Sequence, residues 1–184
     1  MQADVDFQRI TTERLTIRRS RAEDAATISA YRSDPNVNRY QGWDRTDVAS
    51  ISAEIAAMAG RSPGDLGGWV QFTVEEKESG RLVGDVGMSP AEEEPGVIKI
   101  GYTIAPEFQG RGYATEAVRA LIAYAFETLD AEVVRAYASA ENGPSIKVAE
   151  KVGMRLMERF EGRDGNVRWF GVRYEIPRDE WERR

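Results

Sequence analysis

Gln109-Gly110-Arg111-Gly112-Tyr113-Ala114-Thr115 joins an apolar run at 97–104 to the strongest helical stripe in the chain. Glycines let backbone come close to a ligand, and the first turn of the helix offers about four amides without intrahelical partners, backed by the positive end of the helix dipole. That chemistry suits a phosphate or pyrophosphate. Two other anion-binding signatures do not fit. A P-loop needs a Gly-Lys pair, and there is none. A dinucleotide fingerprint needs Gly or Ala where Thr115 stands, and Glu132 precedes its strand instead of closing it. The plain alternative is that the glycines only make a tight strand-to-helix connection.

The chain has no His and no Cys. That removes Ser-His-Asp and Cys-His nucleophiles, thiol redox chemistry and the usual zinc ligands; no metal is expected. Proton transfer near neutral pH must then use carboxylates, hydroxyls, amines or water. The balance of 31 acidic to 25 basic residues, net −6, argues against a nucleic-acid footprint and mildly favours cationic or amine partners. No apolar run approaches 18 residues and the first residues lack a leader pattern, so no membrane association is expected. Without cysteines to pair, the cytoplasm is the expected compartment.

The elements that must position these groups can be read from periodicity. Residues 14–18 alternate as a first strand. Ser20 with Glu23 forms a capping box for a helix that ends near Pro35, and 47–59 is a second helix stopped by Gly60. Between them lies the loop 36–43, whose Tyr40 and Trp43 either plug into the core or wall a substrate pocket. Segments 69–74 and 81–88 read as a hairpin, followed by a strand at 97–104. The long helix carries Val118, Leu121, Ile122, Ala125, Phe126 and Leu129 at helical spacing. A strand at 133–138, a helix at 144–152 capped by Gly153, and closing strands near 154–157 and 168–176 complete the chain. Short connections imply antiparallel neighbours, while strand-helix-strand over 97–138 implies one parallel pair. The fold class is therefore α/β (α+β), a mixed, mostly antiparallel sheet in a single domain over 1–184 with its core at about 11–181.

Gln109-x-x-Gly112-x-Ala114 after a strand ending Ile104-Ala105-Pro106 resembles the acyl-CoA pyrophosphate loop of the GNAT superfamily of N-acyltransferases. Gly112-Tyr113-Ala114-Thr115-Glu116-Ala117 is similar to its RimJ/RimL-like branch, which includes N-terminal acetyltransferases of ribosomal proteins. So are Thr12-Glu13-Arg14-Leu15-Thr16-Ile17-Arg18, Asn142-x-x-Ser145, Glu150-Lys151-Val152-Gly153-Met154, and Tyr174-Glu175-Ile176 with Glu180-Trp181. The resemblance spans about 11–181.

It implies a sheet that splays at the acyl-CoA site, between strands 97–104 and 133–138. The pantetheine arm of acetyl-CoA would run along Gly101, Tyr102, Thr103 and Ile104 as an added strand. The pyrophosphate would sit on amides from Gly110 to Thr115, within the cofactor segment Gln109, Gly110, Arg111, Gly112, Tyr113, Ala114 and Thr115. Asn142 would contact the pantetheine region, a role compatible with capping the helix after it, and Ser145 would stand close to the thioester sulfur. The implied reaction is attack of a neutral amine on the acetyl thioester. Ala149 occupies the place where many members carry the Tyr that protonates the thiolate, so Ser145, with Asn142 beside it, is the expected catalytic group.

The base is less defined: the branch often carries Glu where Lys99 stands, and Asp85, an acceptor-side candidate that could equally be an exposed strand residue, and Glu75 are alternatives. An α-amine of pKa about 7.7–8.0 is easier to use than a Lys side chain at about 10.4, so the expected acceptor is the α-amine of a peptide or protein N-terminus, or a small amine. Antibiotic or amino-acid acetylation, a larger acyl group, and a non-catalytic acyl-CoA-binding module are the alternatives. Homodimers are common among the proteins it resembles.

Overall fold

The computed structural model describes residues 1–184 apart from 42, 67, 165 and 166 and the side chains of 163–167. Gly42, part of the loop 36–43, thus lies outside the described residues. Eight strands form one sheet in the order β1-β2-β3-β4-β5-β6-β8-β7. These are β1 (Arg9–Thr11), β2 (Leu15–Arg19), β3 (Val70–Glu76), β4 (Leu82–Pro90), β5 (Val97–Ile104), β6 (Val133–Ser139), β7 (Arg155–Asp164) and β8 (Val167–Pro177). Among the described residues only β5 and β6 pair in parallel, across the crossover helix α4 (Tyr113–Glu127). The mixed sheet and its single parallel pair are those expected from the connections.

The helix α4 buries the stripe Val118, Leu121, Ile122 and Ala125 completely, against a sheet face made of Ile17, Phe72, Val74 and Val86. The helix α5 (Gly143–Val152) packs beside it and ends at Gly153, whose φ of +93° is the left-handed cap read from the sequence. Helices α1 (Ala25–Arg32) and α3 (Val48–Met58), the latter capped by Asp47, lie on the opposite face.

That second face is polar where it is buried. Register places Arg18, Thr73, Asp85 and Thr103 directly opposite one another across β2, β3, β4 and β5, and all four are buried. Alternation of this kind ordinarily marks a solvent face; here α1 covers it. Asp85, 2% exposed, is therefore not an exposed strand residue.

At one end of this rung the Arg18 guanidinium donates to both carboxylate oxygens of Asp24 at 2.8 and 2.9 Å and also pairs with Glu75. Thr73 Oγ1 lies 3.1 Å from Asp24 Oδ2 and 3.0 Å from Ser20 Oγ. This explains a correction to the first helix start. Only the return half of a capping box forms, and one residue later: the Arg21 amide donates to Asp24 Oδ2 at 2.7 Å, while Ser20 is drawn to Thr73. Three short elements also exceed the sequence reading: β1, α2 (Pro35–Asn38) capped by Asp34, and α6 (Arg178–Glu182). Each is too brief for periodicity to show.

Burial works to raise the Asp24 carboxyl, but the Arg18 hydrogen bonds and charge, the Arg21 amide and Thr73 together outweigh it and hold it below the ordinary carboxylate range. A depressed native pKa stabilises the fold above the ordinary value, and that stability is lost as pH falls through the lowered one. Asp24→Ala should cost about 3 kcal/mol at pH 7, because Glu75 alone is left to compensate a buried guanidinium. Denaturant melts of the two proteins should differ most at neutral pH and converge below about pH 4.

Candidate active site

The turn after β5 is held by its own side chains. Gln109 Nε2 donates to the Ile104 carbonyl at 2.9 Å, Arg111 donates to the Glu107 carbonyl at 3.0 Å, and Tyr113 Oη donates to Glu76. Gly110 and Gly112 sit at φ +77° and +85°, a region that favours glycine. Among the described residues, the six amides from Gly110 to Thr115 have no hydrogen-bond acceptor. They form a row of unpaired donors at the positive end of a 15-residue helix. The side chains of Gln109, Arg111 and Tyr113 shape this row rather than point into it.

Two distant pieces of the sequence meet here. Glu116, in the first turn of α4, accepts from Thr12 Oγ1 at 2.6 Å, the Arg14 amide at 2.9 Å and Arg14 Nε at 2.7 Å. Arg14 also donates to the Arg111 carbonyl at 3.0 Å and stacks 4.7 Å from the Tyr113 ring centre. Burial pushes Glu116 up, but Thr12 and Arg14 bring it below the usual carboxylate range. Arg14 is thus a positioning residue that sequence reasoning placed only in a motif. No local signal reports a partner 102 residues away.

Beside the turn the sheet opens. β5 and β6 pair from Val97 opposite Val133 to Ile100 opposite Ala136 and no further. Beyond that point β6 follows β8, while Gly101, Tyr102, Thr103 and Ile104 keep only β4 as a neighbour. The edge of β5 that faces the gap is free to pair with amides of another chain or ligand.

On the α5 side, Tyr102 bridges the gap. Its phenol donates to the Ser145 carbonyl at 2.9 Å and accepts from Ser145 Oγ at 3.0 Å. Burial pushes this phenol up to about 12, against a small opposing effect of Ser145, so it stays protonated at working pH. Asn142 caps α5, accepting from the Ser145 amide at 3.2 Å. Ser145 therefore stands in the first turn of a helix, with its hydroxyl tied to a protonated phenol. Tyr102 was expected to offer its backbone; its side chain is an addition the sequence did not reveal.

On the opposite side of the sheet a cleft of about 600 Å³ reaches the same gap. Its walls include Arg32, Trp43, Trp69, Gln71, Asp85 and Lys99. The indole of Trp69 lies on two glycines of neighbouring strands: a Cβ on Gly87 would fall 2.3 Å from Trp69 Nε1, and one on Gly101 3.1 Å from Trp69 Cη2. Trp69 donates to Gln71, Gln71 donates to Asp85 Oδ1, and Tyr31 donates to Asp85 Oδ2. Arg32 stands 3.4 Å from Asp85 and 4.4 Å from the Trp43 ring centre.

Burial pushes the Asp85 carboxyl up, against Arg32 and then the Tyr31 bond. Both its oxygens are engaged, so Asp85 orients the cleft wall rather than standing free as a base. Glu75 is committed to Arg18. Of the two loop aromatics, Trp43 lines the cleft, whereas Tyr40 packs 5.2 Å from the Arg39 guanidinium and does not. Thr103 lies in the cleft floor with Gln41 Nε2 3.3 Å from its hydroxyl. Among the described residues no group of three or more His, Cys, Asp or Glu could hold a metal ion, and no helix is long and apolar enough to cross a membrane.

A parted mixed sheet, with unpaired amides at a helix start on one side and a cleft of about 600 Å³ reaching the same gap from the other, is an architecture suited to acyl-group transfer. The chain belongs to the GNAT acetyltransferases: the acetyltransferase (GNAT) domain family matches residues 14–155. It is 32% identical over 174 residues to "Uncharacterized N-acetyltransferase p20" of Bacillus licheniformis, covering 90% of this chain and 96% of that one. The crystal structure of a GNAT-family acetyltransferase from Bacillus anthracis superposes with TM-score 0.83 at 27% identity, over 94% of this chain and 100% of that one. The fold is shared with RimL, a ribosomal L7/L12 alpha-N-protein acetyltransferase solved with coenzyme A, at TM-score 0.79 and 13% identity over 94% and 99% of the two chains.

Proposed function

We propose that the protein transfers the acetyl group of acetyl-CoA to a primary amine, with an α-amine as the preferred acceptor. The observation that carries this reading is the row of six unpaired amides from Gly110 to Thr115 beside the open edge of β5. Backbone amides at a helix N-terminus complement a pyrophosphate, and a free strand edge complements the amides of a pantetheine arm. The coenzyme A complex of RimL, which shares this fold, supports the same reading. Acetyl-CoA supplies the acetyl group already activated as a thioester, so this chain need provide no covalent nucleophile, in keeping with the absence of Cys and His.

The residues then have separate tasks. The amide row and the open edge fix the cofactor so that its thioester lies in the gap, where the cleft delivers the amine. Ser145, in the first turn of α5, sets a hydroxyl and the positive end of a helix dipole beside the departing sulfur; its proton, which rests on Tyr102 Oη, turns to the thiolate as the proton shed by the amine nitrogen replaces it on Oγ. A thiol of pKa about 8.5 needs only modest help to leave. Tyr102 holds that hydroxyl from behind. With Asp85 engaged on both oxygens and Glu75 paired with Arg18 away from the cleft lining, neither stands as a free carboxylate base, which favours an amine already partly neutral. An α-amine and a Lys ε-amine differ by roughly 2.5 pKa units, about 3.5 kcal/mol. Peptide α-amines should be acetylated at least tenfold faster than ε-amines or polyamines at pH 7.5, measured by thiol release. Faster turnover of ε-amines or polyamines would reject the preference.

A further inference from the structure

The charges lining the cleft do not balance, and the sign is opposite to that of the whole chain. Arg32 is shared between Asp85 at 3.4 Å and Glu54 at 3.2 Å, one cation against the two carboxylates that line the cleft. Two other cations line the same cleft without a carboxylate. Arg61 makes a side-chain hydrogen bond to the Trp69 carbonyl at 3.3 Å, and among the described residues it has no acidic partner. The Lys99 side chain has no hydrogen-bond or ion-pair partner among the described residues, although its backbone lies in the sheet. Its register neighbours cannot neutralise it. Ser89 stands opposite on β4, and Arg135 opposite on β6 is itself a cation, bound to Glu94 at 2.7 Å and Glu175 at 2.6 Å. The cleft of a chain with net charge −6 thus carries more cationic than anionic side chains.

Lys99 also occupies a telling place. It is the residue before Ile100, the last position at which β5 pairs with β6, and strand alternation puts it on the same face as Gly101 and Thr103 in the cleft floor. An unpartnered ammonium beside the gap repels a second cation and attracts an anion. We infer that the acceptor is an amine that also carries a carboxylate, held by Lys99 with Arg61 adding to the attraction, while the amine faces the gap. This inference rests on the acetyl-transfer reading and narrows it to amino-acid-like acceptors over polycationic ones. Lys99 is then a specificity residue, and the departure from an acid at this position becomes a gain of anion recognition.

The test uses two pairs of amines that differ by one carboxylate, titrated calorimetrically into the protein loaded with coenzyme A and assayed in parallel with acetyl-CoA. One pair is leucine against leucinamide, which reads a main-chain carboxylate; the other is glutamic acid α-amide against glutamine α-amide, which reads a side-chain carboxylate at matched α-amine chemistry. In at least one pair the carboxylated member should bind about tenfold tighter, as one charge-assisted contact gives. In Lys99→Met that ratio should fall to about one or two, with thermal stability and coenzyme A affinity reported as controls of folding. Neutral members binding as tightly in both pairs, or a preference unchanged in Lys99→Met, would overturn the inference. Carboxylated amines that bind without being acetylated would count against acetyl transfer while supporting this charge recognition. Acetylation with no charge preference would do the reverse.

Discussion

Gly112→Val should weaken acetyl-CoA binding by at least a hundredfold while leaving the protein folded. Gly112 sits at φ +85°, and a β-branched residue there costs roughly 1–3 kcal/mol of backbone strain unless the peptide rotates. Space is not the difficulty, since a Cβ would meet only Arg14 Nη2 at 3.4 Å. The difficulty is direction. Rotating this peptide to relieve the strain turns the amides beside it away from their neighbours in the row, and charge-assisted hydrogen bonds from several amides to one pyrophosphate are lost together. Isothermal calorimetry measures the loss, and a thermal melt shows whether the fold survives. Affinity within threefold of the parent would mean that the amide row does not hold the cofactor.

The second large effect belongs to Ser145. Ser145→Ala should lower kcat by about ten- to a hundredfold, the lower end of what a positioned proton donor supplies, because a thiolate is already a good leaving group. Acetyl-CoA affinity should change less than threefold, since the pyrophosphate contacts are elsewhere. Tyr102→Phe should reproduce part of the loss, because Ser145 Oγ then has no phenol to bond and the Ser145 carbonyl loses its donor. The phenol, pushed up to about 12, stays protonated across the assay range. The pH–rate profile of the parent should therefore show no ionisation from Tyr102 below about pH 10. Unchanged kcat in Ser145→Ala would remove it from the chemistry.

Local features were largely legible in the sequence. The stripe from Val118 to Phe126, the glycine pair before it, Gly153 as a helix stop and the one parallel strand pair each have a local or short-range cause, and each is present; Leu129, expected to close that stripe, is buried but lies beyond the helix, which ends at Glu127. What escaped depends on groups far apart in the chain. The buried rung Arg18, Thr73, Asp85 and Thr103 looks in sequence like the wet side of amphipathic strands, and only the covering helix and the paired charges make it interior. The staple of Thr12 and Arg14 on Glu116 leaves no periodic trace. The Tyr102 phenol was hidden behind its backbone role, and it reaches the site from a strand while the α5 position that often carries Tyr holds Ala149. Tyr40 and Trp43 show the limit of reading loops by composition: one lines the cleft and its near neighbour does not.

If the glycine turn and the parted strands hold acetyl-CoA for transfer to an amine, binding and transfer must appear in one experiment. The most direct measurement is an isothermal titration of the purified protein with acetyl-CoA, followed by addition of a peptide α-amine and mass detection of the acetylated product. Saturable one-site binding at micromolar to tens of micromolar concentration is expected, with a mass gain of one acetyl group on the amine. No binding heat at concentrations on the order of hundreds of micromolar would contradict it.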